Sequence, residues 1–481
     1  MEFDMVNNLI LVVPELTLLI LACLALVIDT FIKNPASRGG IYWFTQTSLI
    51  VTICLIYFYC PHQPTVAFEN SFISDPMSTV LKMFICLISF VVFLYSRDYL
   101  KENDLLKGEY FILGLFAVLG MMVMVSAYSL LTVYLGLELL SLSLYSMVAM
   151  HRDSQPATEA AMKYFVLGAL ASGMLLYGMS ILYGVTGSLQ LTVVAEYIVQ
   201  QSDANHFLVF GLAFVIVGVA FKLGAAPFHM WIPDVYQGAP TSVTLFISSA
   251  PKLAAFAMAM RLLVDGMFPL LGDWQGMLII LSILSMATGN IIAISQTNIK
   301  RMLAYSTIAH VGFLLLGLIA GSRAGFAGSM FYVIIYALMS MGSFGMIILL
   351  GRKGFEADNL DDFKGLAERS PWFAFIMLCL MFSMAGVPPF VGFWAKWFVL
   401  KELVAVDMVW LAALAVLFSI IGAYYYLRIV KLMYFDQPTS MLAIKASQQM
   451  RLVLSLNGLV ILALGLVPNV LMALCISALT R

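Results

Sequence analysis

At fourteen places this chain runs for about twenty residues with almost no charge, the length an α-helix needs to cross a hydrocarbon core of ~30 Å. The runs fall near residues 8–29, 41–60, 76–95, 109–126, 129–150, 158–183, 206–236, 241–262, 274–296, 302–320, 327–351, 371–402, 406–430 and 452–475. Backbone polar groups facing lipid must be satisfied within their own segment, so apolar runs of this length fold as helices. The expected class is therefore an all-α polytopic membrane protein of about 14 transmembrane helices, with the lipid bilayer as its main solvent. Composition leaves no alternative, since 62% of residues are hydrophobic and 11% charged. A formal net charge of -1 and the lack of any long basic run argue against a nucleic-acid partner.

Positive charge in the loops sets the orientation, because cytoplasmic loops retain Lys and Arg. Of the 25 basic residues, sixteen fall in one alternate set of loops, among them Lys33, Arg38, Lys300 and Lys445. Only Arg261, Arg323, Lys401 and Arg481 fall in the other, which places both termini away from the cytoplasm. The acidic start MEFDMVNN precedes a long apolar run without a small-residue cleavage site, so the first helix is expected to stay. The six cysteines, Cys23, Cys54, Cys60, Cys86, Cys379 and Cys475, show no C-x-x-C or Cys/His ligand spacing and read as structural thiols, with no metal site. Neither G-x-G-x-x-G nor G-x-x-x-x-G-K-[ST] occurs, so dinucleotide and ATP chemistry is expected on other chains.

Two helices are too long and are interrupted. The seventh breaks at Gly224-Ala-Ala-Pro227-Phe228-His229 and the twelfth at Gly386-Val-Pro388-Pro389-Phe390, where proline removes a backbone donor and clashes with the preceding turn. Such breaks are either kinks that suit packing or openings onto a polar interior. They lie five helices apart, which predicts two five-helix repeats. Five being odd, the second must be inverted relative to the first, an arrangement common in transporters. The expected division is residues 1–105 for helices one to three, 106–264 for the first repeat (helices 4–8), 265–436 for the second (helices 9–13) and 437–481 for helix 14 and the C-terminus.

Five lysines lie inside the predicted helices: Lys82, Lys163, Lys222, Lys252 and Lys396. A charged Lys at the bilayer centre costs ~2.5 to 3.5 kcal/mol on insertion scales, so several in one bundle imply function. Lys82 is shallow and is expected to snorkel to the interface. Lys163 is shallow on the cytoplasmic side and reads either as a relay entrance or as a solvated residue, with Glu159 on the same helix face as partner or free carboxylate. Glu138, Lys222, Lys252 and Lys396 lie too deep to snorkel, and with His310 they form a midplane row. None is Arg, which cannot hand on a proton, whereas a buried lysine can. The row predicts proton transfer, with Glu138 holding Lys222 protonated until it withdraws. His310 reads as a relay or as a bonded packing residue, and His229 as a relay or a cap on freed carbonyls. Asp234 and Gln237 belong to the cytoplasmic mouth, while Tyr424, Tyr425, Tyr426 and the methionines read as packing or interfacial residues and not as a quinone site.

The stretches LGLELLSLSLYSM around Glu138, FKLGAAPFHMWIPDVYQGAPTSVT around Lys222 and SQTNIKRMLAYSTIAHVG around His310 resemble the antiporter-like subunits of respiratory complex I and their relatives in multi-subunit cation/proton antiporters, over roughly residues 100–435. Lys396, where the M type has glutamate, the short length and the end just after helix fourteen, without the L type's lateral helix, resemble the N type. The resemblance implies fourteen helices with inverted repeats, and roles for Glu138, Lys222, Lys252 and Lys396 in proton transfer. It further implies a bacterial inner membrane, membrane-arm partners including sister antiporter-like subunits, and NADH:quinone chemistry whose FMN and iron-sulfur clusters lie on partner subunits, with no cofactor in this chain. The competing readings are a subunit of a Na+(K+)/H+ antiporter, and a scaffold whose polar row is merely a satisfied network.

Overall fold

The computed structural model describes residues 2–32, 39–59, 61, 63–200, 206–438, 444 and 446–479. Cys60, Lys33, Arg38, Lys445 and Arg481 lie outside them. All fourteen apolar runs fold as helix. Thirteen helices among the described residues are each long and apolar enough to cross a membrane: Val13–Phe31, Gly39–Phe58, Pro76–Glu102, Gly108–Val125, Leu130–Val148, Gln155–Thr186, His206–Leu223, Thr241–Gly266, Phe268–Ser295, Ile299–Ile319, Arg323–Leu350, Val409–Phe435 and Gln448–Leu466. The remaining one, twelfth in chain order, is divided into Pro371–Ala385 and Val391–Ala405, each too short alone. The protein is a multi-span membrane protein.

Burial sorts the spans. The eighth, tenth and eleventh are almost wholly enclosed, while the first, sixth, thirteenth and fourteenth keep broad apolar faces outward. Packing is closest where glycines let backbones meet, as small residues do in membranes. A Cβ on Gly136 of the fifth span would stand 2.7 Å from the Met124 nitrogen of the fourth, and one on Gly289 of the ninth 2.5 Å from the Ala309 nitrogen of the tenth. The same device therefore clamps spans four to five and nine to ten.

One arginine ties three elements at one end of the bundle. Asp75 caps the third span by accepting from the Ser78 N–H at 2.8 Å, while Ser78 Oγ accepts from the Asp75 N–H at 3.0 Å, a reciprocal cap. The same carboxylate receives two parallel N–H bonds of 2.9 Å from Arg261, which also donates to Asp265 at 2.9 Å and to the Val125 carbonyl at 3.0 Å. Arg261, counted above among loop residues, is therefore fully buried. Burial alone would raise the Asp75 pKa, but the Arg261 guanidinium and the Ser78 bonds outweigh it and hold the carboxyl at about 2.

Lys82 does not snorkel. It is 4% exposed and forms an ion pair with Glu15 of the first span at 2.5 Å, with its ammonium 5.0 Å from the Phe72 ring centroid. Snorkelling was expected from depth alone; an acidic partner on a neighbouring helix makes burial possible instead.

Candidate functional site

Both predicted breaks are present, and their local chemistry explains them. Leu223 ends the first half of the seventh span, Gly224 takes φ +88°, and helix resumes at Trp231–Gly238. Ala385 ends the first half of the twelfth, Gly386 takes φ +86°, and helix resumes at Val391. Both glycines sit in the left-handed region that L side chains avoid. Ala226–Pro227 and Pro388–Pro389 are cis.

The backbone groups freed by each break find named partners, as they must in a buried site. At the first, the Phe221 carbonyl accepts from the Trp231 indole N–H at 3.1 Å, the Leu223 carbonyl from Lys252 Nζ at 2.7 Å, and Ser285 Oγ receives the Ala226 N–H at 2.8 Å. At the second, the Ala385 carbonyl accepts from Lys396 Nζ at 2.9 Å, and Ser383 Oγ receives the Gly392 N–H at 3.0 Å. Leu223 and Ala385 each stand one residue before the left-handed glycine, so the same carbonyl is bonded to a lysine at both breaks. Positive charge at a helix C-terminus is favoured by the helix dipole.

Lys222, Lys252 and Lys396 are buried, and all three are bonded to neutral oxygens. Lys222 Nζ donates to Ser141 Oγ of the fifth span at 2.8 Å, beside a cavity of about 10 Å³ that is at the limit of holding one water. Lys396 Nζ donates to Ser419 Oγ at 2.8 Å as well as to Ala385. An ammonium has three donors; one bond serves Lys222, one Lys252 and two Lys396. None of the three is paired with a carboxylate among the described residues, unlike Lys82.

Glu138 stands three residues, nearly one turn, before Ser141 in the fifth span. It makes no ion pair within 4.0 Å of Lys222 among the described residues, and its Oε1 is buried without a hydrogen-bond partner. Glu138 is close enough to act on Lys222 through its charge, while the hydrogen bond of Lys222 goes to Ser141. His229 lies in the first break with Nδ1 buried, against the Pro227 backbone, while the Phe221 and Leu223 carbonyls are taken by Trp231 and Lys252.

Lys163 lies at one end of the bundle, half-exposed, on Glu159 and Asp234, both at 2.8 Å. Asp234 also receives a 2.9 Å bond from Arg301, which donates to Gln237 at 3.1 Å. A cavity of about 240 Å³ opens beside Glu159, Lys163, Asp234 and Gln237, the mouth expected of these residues. Asp234 therefore links the sixth, seventh and tenth spans.

His310 of the tenth span is buried with both ring nitrogens bonded: Nδ1 to Tyr332 Oη at 2.7 Å and Nε2 to Tyr426 Oη at 3.0 Å. The expected packing role of the tyrosine run is therefore corrected in part. Tyr424 is exposed, but Tyr425 bonds Asn290 at 3.1 Å and Tyr426 bonds both His310 and Ser306. Hydroxyls and Trp231 could not have been singled out from sequence, where such residues are common in helices. Contact with a lysine, a freed carbonyl or His310 identifies them.

Comparison with known proteins places the chain in a family. The family described as "NADH:quinone oxidoreductase/Mrp antiporter, TM" matches residues 127–422. The "NADH-quinone oxidoreductase subunit N" of Thioalkalivibrio sulfidiphilus (strain HL-EbGR7) is 60% identical, over 98% of each chain. A chain of respiratory complex I from Thermus thermophilus superimposes with TM-score 0.83 at 29% identity, covering 96% of this chain and 98% of that one. A chain of the Mrp complex from Dietzia sp. DQ12-45-1b gives TM-score 0.83 at 20% identity, covering 100% and 97%, a likeness of fold alone. Identity of 60% along nearly the whole of both chains settles which branch of this fold is present: the protein belongs to the family of NADH-quinone oxidoreductase subunit N.

Proposed function

We propose that protons cross the membrane through this chain along the buried row Glu138, Lys222, Lys252, His310 and Lys396, with Lys163 at the mouth, driven by redox chemistry in partner subunits. The observation that carries the reading is that Lys252 and Lys396 bond the equivalent carbonyl at two separate helix breaks, in a protein interior where a charge with no task would be costly. Lysines held only by neutral oxygens can switch between ammonium and amine, and a change in either alters the bonding of a broken helix. Proton transfer and helix movement are thereby coupled at both breaks.

The matching glycine clamps and breaks support two inverted repeats, 106–264 and 265–436, beside an N-terminal unit 1–105 and a last segment 437–481. In this reading the chain sits in a bacterial inner membrane with both termini outside the cytoplasm. It assembles with other membrane subunits of complex I, sister antiporter-like chains among them, while FMN, iron-sulfur clusters and the NADH site belong to partners. The exchanger reading draws on the family model shared with Mrp antiporters and on a likeness of fold, against 60% identity to a subunit N.

The test is Lys222→Met in the assembled complex, measured as NADH-driven proton uptake into inverted membrane vesicles. Loss of uptake with assembly intact is expected. Unaltered uptake would sink the proposed row.

A further inference from the structure

His310 is enclosed by hydroxyls. Besides the Tyr332 and Tyr426 bonds, Tyr426 Oη is bonded to Ser306 Oγ, and next to Ser306 the Thr307 Oγ1 is bonded to Tyr336 Oη at 2.7 Å. These side chains come from the tenth, eleventh and thirteenth spans, and all are buried. On the side of the seventh span, the buried Tyr236 hydroxyl reaches Thr307, close to Tyr336. Its ring lies 6.4 Å from Trp231, over which Lys252 Nζ sits at 5.5 Å. On the other side, the Tyr332 ring stacks on Phe313 at 6.4 Å, and Lys396 Nζ lies 5.0 Å from the Phe313 centroid. The hydroxyl cluster therefore fills the space between the lysine of one break and the lysine of the other. Phenylalanines would fill that space without the cost of burying hydroxyls.

We propose that Tyr332 and Tyr426 are themselves proton-carrying groups on either side of His310, so that the path between the two breaks runs Ser306–Tyr426–His310–Tyr332. This rests on the proton-transfer reading above. With Nδ1 protonated at the start, Tyr426 gives its proton to Nε2 and takes one from Ser306, whose own is replaced by the proton that the Lys252 ammonium releases by way of Tyr236 and Thr307, leaving Lys252 an amine. Nδ1–H gives its proton to Tyr332, whose own proton passes to the Lys396 amine, making it an ammonium. Each oxygen loses one O–H bond and gains another, no charge is left on the hydroxyls or the imidazole, and the positive charge has moved from Lys252 to Lys396. The imidazole ends as the other tautomer, so a second proton waits until the ring and hydroxyls have turned back. Phe313 stands between Tyr332 and Lys396, and the last transfer requires it to move.

The test uses the whole complex in proteoliposomes, with Tyr332→Phe, Tyr426→Phe, His310→Ala and, as a control outside the path, Tyr95→Phe, a buried tyrosine of the third span whose hydroxyl has no hydrogen-bond partner among the described residues. Proton uptake per NADH oxidised is expected to fall about tenfold in both path variants and to hold in the control. Normal pumping by both Phe variants while His310→Ala fails would overturn this inference and leave the lysine row standing. Normal pumping by His310→Ala as well would count against the site reading itself. Should Phe disturb assembly, a difluorotyrosine at position 426, nearly isosteric and more acidic, keeps the question open to measurement. A shift of the pumping pH profile to lower pH supports proton carriage by this hydroxyl, and an unmoved profile overturns it.

Discussion

The two helix breaks share a backbone and differ in their charges. In each a left-handed glycine is followed three residues later by a cis proline, Gly224 with Pro227 and Gly386 with Pro389, and in each the carbonyl before the glycine is bonded to a lysine. Yet the lysines come from different places. Lys252 belongs to the next span, whereas Lys396 lies seven residues beyond Pro389, the position that Asp234 holds beyond Pro227. Lys222, two residues before Gly224, has Met384 as its counterpart. What is repeated is the bond made to the broken helix, not the sequence that supplies it. The first break adds a second lysine and an acidic mouth; the second reaches the same bond with one lysine.

The basic groups of the bundle divide in the same way. Lys82 sits on Glu15, and Arg261 on Asp75 and Asp265, each cation fixed by carboxylates. Lys222, Lys252 and Lys396 sit on hydroxyls and carbonyls. In the proposed scheme the buried cations held by carboxylates are clasps and those held by neutral oxygens are carriers, while half-exposed Lys163, on Glu159 and Asp234, belongs to the mouth.

The sharpest way to break this comparison is to remove each lysine at its carbonyl. Lys252→Met and Lys396→Met are each expected to cut NADH-driven proton uptake at least tenfold, about 1.4 kcal/mol or more in the limiting barrier. A large effect from only one would mean that the two breaks are not equivalent. Next in size is a clasp. Lys82→Met leaves Glu15 buried alone and should cost about 3 to 5 kcal/mol of stability, read as loss of assembled complex on native gels. Pairing it with Glu15→Gln should recover most of the loss, with pumping per assembled complex unchanged.

A smaller effect is expected from acid. Asp75 falls from an ordinary 3.8 to about 2 in the folded chain. A carboxyl depressed by folding contributes stability that is fully present above its unfolded value and is lost as pH falls through the folded one. The contribution is roughly 2 kcal/mol, disappearing between about pH 4 and pH 2. Asp75→Asn should flatten that part of the stability-versus-pH curve. The smallest effect separates the two glycines. An alanine at either costs about 1 to 2 kcal/mol in the left-handed region. A Cβ at Gly224 would also stand 2.0 Å from Ile232 Cδ1, whereas at Gly386 the nearest atom is Lys396 Cδ at 3.0 Å, the middle of a flexible chain. Thermal stability should therefore fall more for Gly224→Ala than for Gly386→Ala.

Much of this was legible in the sequence because a membrane leaves few choices. Apolar runs fixed the spans, the Gly/Pro clusters fixed the breaks, and Lys222, Lys252 and Lys396 stood out because lysine is expensive in hydrocarbon. Partners were less legible. Lys82 was misread because depth says nothing about a carboxylate on another helix. Ser141, Ser419, Trp231, Tyr332 and Tyr426 were invisible because hydroxyl and indole groups are ordinary residues in membrane helices, and only the folded chain shows which of them meet a lysine or His310. Arg261, at a predicted helix end, was placed in a loop for want of any sign that Asp75 reaches it.

The central claim is that Lys252 and Lys396 act by releasing a proton as well as by bonding a broken helix. Replacing each by arginine tests it most directly, because arginine keeps the charge and can bond the carbonyl but does not deprotonate. In the assembled complex, Lys252→Arg and Lys396→Arg should lose proton uptake as completely as the methionine variants while remaining folded. Pumping at the original rate by either arginine variant would show that the charge at the break is enough, and would contradict the account.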